Sequence, residues 1–490
     1  MADQMKATAS HLYGSSFCHT PALARLARSG TTFAQAYTPQ PLCVPARVSL
    51  WTGRWPHAHG ARLNETPMPP GERHAFRIWH EAGFDLALIG KNHCFEQPED
   101  QTLFDVWCEL GHEGLPTGAA PRGMDWLRPE AAIAAAHAKR RTMPRQAAAV
   151  SYAVSDADPR DASSGLVAAQ AEAYLEERAG TERPFALWVS FPDPHTPYEV
   201  PRRYADLVPP SSVVLPPLEP RGDLPERTQV LRQLLGIDDA SEHDRRGLVA
   251  TYHAMVRFVD DGVGRILDAL SRTGLAKRTV VVFCSDHGDF AGEHGMTRKG
   301  GAFYDCLVRV PLILSWPGRL PAGAVDDSPV NLVDVVPTLL TLQGLEPPAG
   351  MQGRPLPTVT EAPPREATFA EYGAGGPACR LSHLDALPEP RGLEAAKATL
   401  RWREAEGRRK MVRTRRHKLV TDPTGDCDEL YDLETDPFEQ RNLIGEPGRE
   451  ALLAELRAQL LRWAVKTEDG RPVPLPAAGF ERQERSRATT

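Results

Sequence analysis

Along the first two thirds of the chain, short apolar runs alternate with longer stretches of helical periodicity. Phe84–Ile89, Phe185–Phe191, Thr279–Cys284 and Val310–Trp316 are mostly apolar, as strands covered on both faces are. Between them, Leu166–Arg178, Asp244–Ser271 and Asn331–Leu342 read as amphipathic helices, the last taking Pro337 as a kink or early-turn residue. Thr20-Pro21 opens a helix that Gly30 should end, and Pro45–Leu50 reads as a short helix stopped by Thr52-Gly53. Strands alternating with helices predict an α/β domain with a large, mostly parallel sheet flanked by helices.

After about residue 360 the texture changes. Glu361–Pro364 reads as a linker and Met411–Val420 as a strand. Asp422–Gly425 is a turn, Asp428–Leu433 the returning strand, and Glu446-Pro447-Gly448 opens a helix to about Val465. The expected organisation is a catalytic domain over 1–360, a small α+β subdomain with an antiparallel sheet over 361–468, and a polar tail over 469–490. No internal repeat is present.

Composition narrows the classes. With 41% hydrophobic and 25% charged residues the 490-residue chain has the make-up of a globular protein. A net charge of −7 without a dominant basic stripe argues against a nucleic-acid partner; the locally basic Arg401–Lys418 reads as a solvated face. No apolar run reaches membrane-spanning length. The eight cysteines are scattered and form no Cys-x-x-Cys pair, so neither a disulfide scaffold nor a structural zinc site is expected. A cytoplasmic protein is the expectation, with export left open by the start of the chain.

Chemistry gathers at the carboxyl ends of the predicted strands, where ligands of open α/β sheets bind. Lys91 and His93 follow the first run, His195 the second, and Asp286 and His287 the third. Cys43-Val44-Pro45-Ala46-Arg47 puts a cysteine two residues before a proline and four before an arginine, the signal read by the enzyme that oxidises cysteine to formylglycine. A plain thiolate or a buried inert thiol are the other readings of Cys43, but neither gives Pro45 and Arg47 a role. At the start of a helix, Cys43 sits where backbone N–H groups favour an anion.

Taken together, Asp3-Gln4, Cys43–Gly53, Gly90-Lys91-Asn92-His93, Pro194-His195-Thr196-Pro197, Ser285–Gly288, Gly292–Gly295 and Lys299-Gly300 resemble, in order, segments of the sulfatase family of the alkaline-phosphatase-like superfamily. Glu429–Leu433 with Asp436-Pro437 and Asn442-Leu443 resembles the family's C-terminal hairpin. The resemblance implies hydrolysis of a small-molecule or saccharide sulfate ester through a hydrated formylglycine made from Cys43 by a formylglycine-generating enzyme. It implies one divalent metal held by Asp3, Gln4, Asp286, His287 and the modified Cys43. Oxygen-rich ligation with one imidazole suits a hard cation; the family usually holds calcium, and magnesium or manganese also suit. By the same resemblance, Arg47 orients the hydrate, Lys91 binds sulfate, His93 takes a proton during sulfate release, and His195 and Lys299 meet the leaving oxygen.

Two departures open alternatives. Gln4 stands where many sulfatases carry a second aspartate, and Asp-Gln also occurs in choline-sulfatase-like and phosphonate-monoester-hydrolase-like relatives, so hydrolysis of phosphonate monoesters or phosphodiesters is the runner-up. The family's buried first strand is absent before Met1-Ala2-Asp3-Gln4, which predicts a frayed metal corner, with the start of translation lying upstream or the protein being a catalytically dead binding protein. Substrate choice is expected to rest on about 110–162, 200–245 and 373–408, with Glu371, Tyr372, Arg380, His383 and Arg391 as candidate pocket residues.

Overall fold

The computed structural model describes residues 1–468 except 113, 116–120, 129, 142–149, 219–223, 238, 386–400, 403 and 425–427, so Arg391 and the tail expected over 469–490 lie outside the described residues. The helices that bear on the site are α1 (Pro21–Arg28), α2 (Cys43–Thr52), α3 (Ser163–Glu177), α4 (Glu242–Arg272), α5 (Val335–Leu342) and α6 (Glu450–Thr467). The strands are β1 (Gly30–Phe33), β2 (Asp85–Gly90), β3 (Val106–Glu109), β4 (Phe185–Ser190), β5 (Val281–Cys284), β6 (Leu312–Ser315), β7 (Ala324–Asp326), β8 (Ala367–Tyr372), β9 (Arg409–Thr414), β10 (His417–Thr421) and β11 (Glu429–Asp432).

Strands β3, β2 and β4 pair in that order, all parallel. Strands β5, β6, β1 and β7 form a second set; β6 runs against both neighbours while β1 and β7 are parallel. Residues Met1–Asp3 join the two sets: Ala2 bridges in parallel to both Phe191 and Ser285, and the Met1 ammonium donates to the Val189 carbonyl at 2.8 Å. The sheet is thus mostly parallel, with β6 reversed. Helices α3 and α4 cover one face with Leu166, Val167, Leu248 and Val259, and α2 and α5 cover the other with Val48, Leu50, Val336 and Leu340.

The frayed corner expected at the N-terminus is not found. Met1 is buried and Ala2, Asp3 and Gln4 are sealed from solvent, because their backbones are claimed by strand ends on both sides. Above Met1 the two strand sets stay apart, leaving a cavity of about 200 Å³ walled by Trp51, Phe76, Trp188, Phe283 and Leu339.

Two boundaries differ from the sequence reading. Helix α1 stops at Arg28, and Gly30 opens β1 instead of ending the helix; a Cβ there would lie 2.1 Å from the Leu314 carbonyl oxygen, so the glycine serves close strand approach. The run Met411–Val420 is not one strand but the adjoining parts of β9 and β10, which fold back on each other around Arg415-Arg416 with Met411 facing Val420.

Strands β8, β9, β10 and β11 form an antiparallel sheet in sequence order, on which α6 seats Leu456, Leu460 and Trp463. Among the described residues no helix is long and apolar enough to cross a membrane.

Candidate active site

The carboxyl ends of β2, β3, β4 and β5, the chain start and the first turn of α2 converge on one point. Helix α2 is buried along its whole length and closes on Gly53 in the left-handed conformation (φ 64), with Cys43 at its first position. The Cys43 sulfur lies 3.0 Å from Lys299 Nζ, 3.2 Å from His287 Nε2, 3.7 Å from Lys91 Nζ and 3.8 Å from Asp3 Oδ1. Burial and Asp3 push its thiol up, yet Lys299, Lys91 and His287 outweigh them and hold it well below its usual range. The same contacts push Lys299 up, against its burial.

Behind the sulfur, Arg47 braces the floor. Its Nε donates to Asp286 Oδ2 at 2.9 Å, and its Nη1 to Ser190 Oγ at 2.9 Å and to the Lys91 carbonyl at 3.1 Å. Its Nη2 lies 3.6 Å from Asp3 Oδ2 and makes no hydrogen bond. Arg47 therefore clamps the two carboxylates together. Asp3 also takes a bond from Lys91 Nζ; despite burial, Lys91 and His195 hold its carboxyl well below the usual range.

A hard divalent cation fits this floor. Asp3, Cys43, Asp286 and His287 bring ligand atoms within 4.8 Å of one another, and all four are buried. His287 Nδ1 lies 2.9 Å from the Gly288 carbonyl, so Nδ1 donates there and Nε2 faces the cluster. Against its burial, Asp286 and the Cys43 sulfur raise this imidazole's pKa, and a cation would take the place of the Nε2 proton. Gln4 adds an amide oxygen, 3.0 Å from Lys299 Nζ. Two carboxylates, an amide oxygen and one imidazole form an oxygen-rich set.

Of the sequence-predicted residues, the structure brings together Asp3, Gln4, Cys43, Arg47, Lys91, His195, Asp286, His287 and Lys299, and leaves out His93. The Asn92 side chain closes a tight turn, accepting from Phe95 N–H at 2.9 Å and donating to the Phe95 carbonyl at 2.9 Å. His93 is left in the left-handed region (φ 51) with its side chain exposed. The imidazole beside Lys91 is instead that of His112, Nε2 at 2.8 Å from Lys91 Nζ and 3.3 Å from Asp3 Oδ2. Its ring stacks on His195 with centroids 3.8 Å apart. Burial, His195 and Lys91 hold His112 well below its usual range; burial and Lys299 lower His195 to about 4. His112 was missed because it stands alone in a stretch without motif, although it follows β3 at the same sheet edge.

Four of the five candidate pocket residues are described, and each is engaged with partners of its own. Glu371 is buried against His57, Arg62 and Lys410; Tyr372 lies under the Arg409 guanidinium; Arg380 pairs with Glu226 at 2.9 Å; and the His383 ring packs on Trp402.

At the carboxyl edge of a mostly parallel sheet the chain thus carries a buried carboxylate floor and a ring of cations. Solved structures agree in fold: a protein in complex with its substrate D-glucosamine-2-N,6-O-disulfate (TM-score 0.73, 21% identity, covering 96% of this chain and 98% of that one), and the phosphonate monoester hydrolase of Silicibacter pomeroyi (TM-score 0.73, 23% identity, 96% and 95%). The Sulfatase family model matches residues 1–345. The chain is 30% identical over 451 residues to a choline-sulfatase of Rhizobium meliloti, covering 88% of this chain and 78% of the relative. It is 26% identical over 481 residues to an ulvan-active sulfatase of Formosa agariphila, covering 94% and 79%. The chain belongs to the sulfatase family of sulfuric ester hydrolases.

Proposed function

We propose that the chain hydrolyses a sulfate monoester, of a small molecule or a saccharide, to an alcohol and inorganic sulfate, with Cys43 converted to formylglycine by a formylglycine-generating enzyme and one divalent cation, calcium before magnesium or manganese, held by Asp3, Gln4, Asp286 and His287. The observation that carries this reading is the setting of Cys43: a residue 1% exposed, at a helix N-terminus, its sulfur between two lysines and a carboxylate floor. The hydrated aldehyde would supply the attacking hydroxyl, and a cation held by Asp3, Gln4, Asp286 and His287 would polarise the sulfate oxygens. The chain's own residues do the rest. Lys91 and Lys299 neutralise the sulfate group and the charge that develops on it. Arg47 holds Asp3 and Asp286 in register. His195 and His112 stand at the less buried side of the cluster; a bound anion raises the pKa of both imidazoles, which readies His195 to protonate the leaving oxygen and His112 to carry the proton released with sulfate. The glucosamine disulfate bound by the structural relative and the ulvan activity of the sequence relative support a saccharide leaving group.

The test is mass spectrometry of the tryptic peptide Ser29–Arg47 from chain made together with a formylglycine-generating enzyme, followed by rates on aryl sulfate and aryl phosphonate esters. A peptide about 18 Da lighter than the cysteine form and preference for the sulfate are expected. An unconverted Cys43 overturns the nucleophile, and preference for the phosphonate replaces the substrate class.

A further inference from the structure

Gln4 is held by its backbone before its side chain is considered. Its N–H donates to Asp286 Oδ1 at 3.0 Å, its carbonyl accepts from the Tyr252 hydroxyl at 2.8 Å, and its φ is 68°. The side-chain amide then lies between two groups of opposite kind. Its Nε2 donates to Asp289 Oδ2 at 2.5 Å, and its Oε1 accepts from Lys299 Nζ at 3.0 Å. A carboxylate only accepts and an ammonium only donates, so chemistry and not shape decides which end of the amide faces the cluster.

Asp289 is itself fixed. It is fully buried, and its Oδ1 accepts from the N–H groups of Ala291 at 2.7 Å and Arg298 at 3.0 Å. Its Oδ2 accepts from Gln4 and, at 2.7 Å, from the Tyr198 hydroxyl. Burial pushes its carboxyl up, and these four donors pull against that push and fix both oxygens as acceptors.

Resting on the metal corner read above, we propose that Asp289 is a positioning residue for that corner. It turns the Gln4 oxygen toward the cation and supplies, one layer behind, the negative charge that a carboxylate at position 4 would put in the site itself. The pair Gln4–Asp289 is in this sense one split ligand: the oxygen belongs to Gln4 and the charge to Asp289.

The consequence can be tested by exchanging the two chemistries. In Asp289→Asn, the Ala291 and Arg298 N–H groups demand an oxygen at the Oδ1 place, so the new amide nitrogen faces Gln4. Two NH2 groups cannot share that contact, and Gln4 must turn its own toward the cation. In Gln4→Glu, two acceptor-only groups face each other. In the double variant, the amide introduced at position 289 donates to the carboxylate introduced at position 4, whose second oxygen faces the cation again. Calcium binding to the full chain is measured by titration calorimetry, with melting temperature as a check of folding. Each single variant is expected to weaken binding about 10- to 100-fold, and the double variant to recover most of that loss. Simple additivity of the two losses overturns the proposal, as does an unchanged Asp289→Asn affinity. Should Asp289→Asn fail to fold, the gain from Gln4→Glu to the double variant carries the same test. A wild-type chain that binds neither calcium nor magnesium removes the metal corner, and the proposal with it; coupling absent in a chain that does bind removes the proposal alone.

Discussion

At the scale of single residues, two histidines compete for one role. His93 follows Lys91 at a spacing that a sequence reader connects at once; His112 lies 21 positions beyond Lys91 and connects only through the sheet. The deciding feature is Asn92, whose side chain prefers to close its own turn and so rotates the next residue out. His112 arrives because β3 pairs with β2 in parallel, Gly90 against Glu109, which sets the residues after both strands at one edge. His112→Ala is therefore expected to lower kcat by about 100-fold, while His93→Ala leaves kcat and KM essentially unchanged; steady-state kinetics on an aryl sulfate with converted enzyme reads both. The reverse ranking would mean that the loop after β2 rearranges on binding substrate. Lys91, His195, Asp286 and His287 were legible because each follows a strongly apolar run, and Cys43, Arg47 and Lys299 because they stand in motifs; Asp3-Gln4 was legible only through the resemblance.

At the scale of elements, the helix that carries Cys43 is locked from its far end. His59, in the short helix Pro56–His59, reaches back to α2: Ala61 N–H donates to its Nδ1 at 3.1 Å, so its Nε2 is the donor to Ser49 Oγ at 2.8 Å. Protonation would put two donors face to face, and burial with Arg54 accordingly lowers this imidazole to about 3. His253 in α4 is lowered to about 3 by burial and Lys6. Both histidines stay neutral in the folded chain while the unfolded chain takes up a proton near pH 6.5. The share of stability these two groups contribute is thus full above pH 6.5 and falls as pH drops toward 3, by about 1.4 kcal/mol per pH unit for each group. Calorimetric unfolding between about pH 7 and pH 5 should show this loss, and His59→Gln should flatten the slope by the share of one group; an unchanged slope would falsify the assignment. None of this was readable in the sequence, since the apolar periodicity that reveals a helix does not tell which polar side chain it encloses. The same limit hid the hairpin in Met411–Val420: both arms are apolar toward the core, and the fold-back is marked only by Arg415-Arg416, two residues that could equally sit on an exposed strand face.

At the scale of the whole molecule, the sheet is held together at one edge and open at the other. Met1–Asp3 pair with β4 and β5 just where the clustered side chains leave the sheet, so the carboxylate floor is ordered by its neighbours on both sides. Beyond Met1, the facing edges of β4 and β5 border the apolar cavity, and the chain's ammonium group lies buried at its end, where burial lowers its pKa. A charge in that place costs desolvation, and backbone groups bordering an apolar cavity lack strand partners. A strand of about six apolar residues joined to Met1 would remove the charge and run parallel to both edges. It would also bury its side chains between Trp51 and Phe76 on one face and Val263 and Phe283 on the other. A chain lengthened at Met1 by a run of valine and isoleucine is therefore expected to melt several degrees higher and to bind calcium more tightly, because Asp3 and Gln4 then follow a longer strand paired on both sides. A polar extension of equal length serves as the control, since it removes the same terminal charge without filling the cavity. Equal melting temperatures for the two would show that the cavity does not accept a strand, and would leave the order of the metal corner to the Ala2 bridges alone.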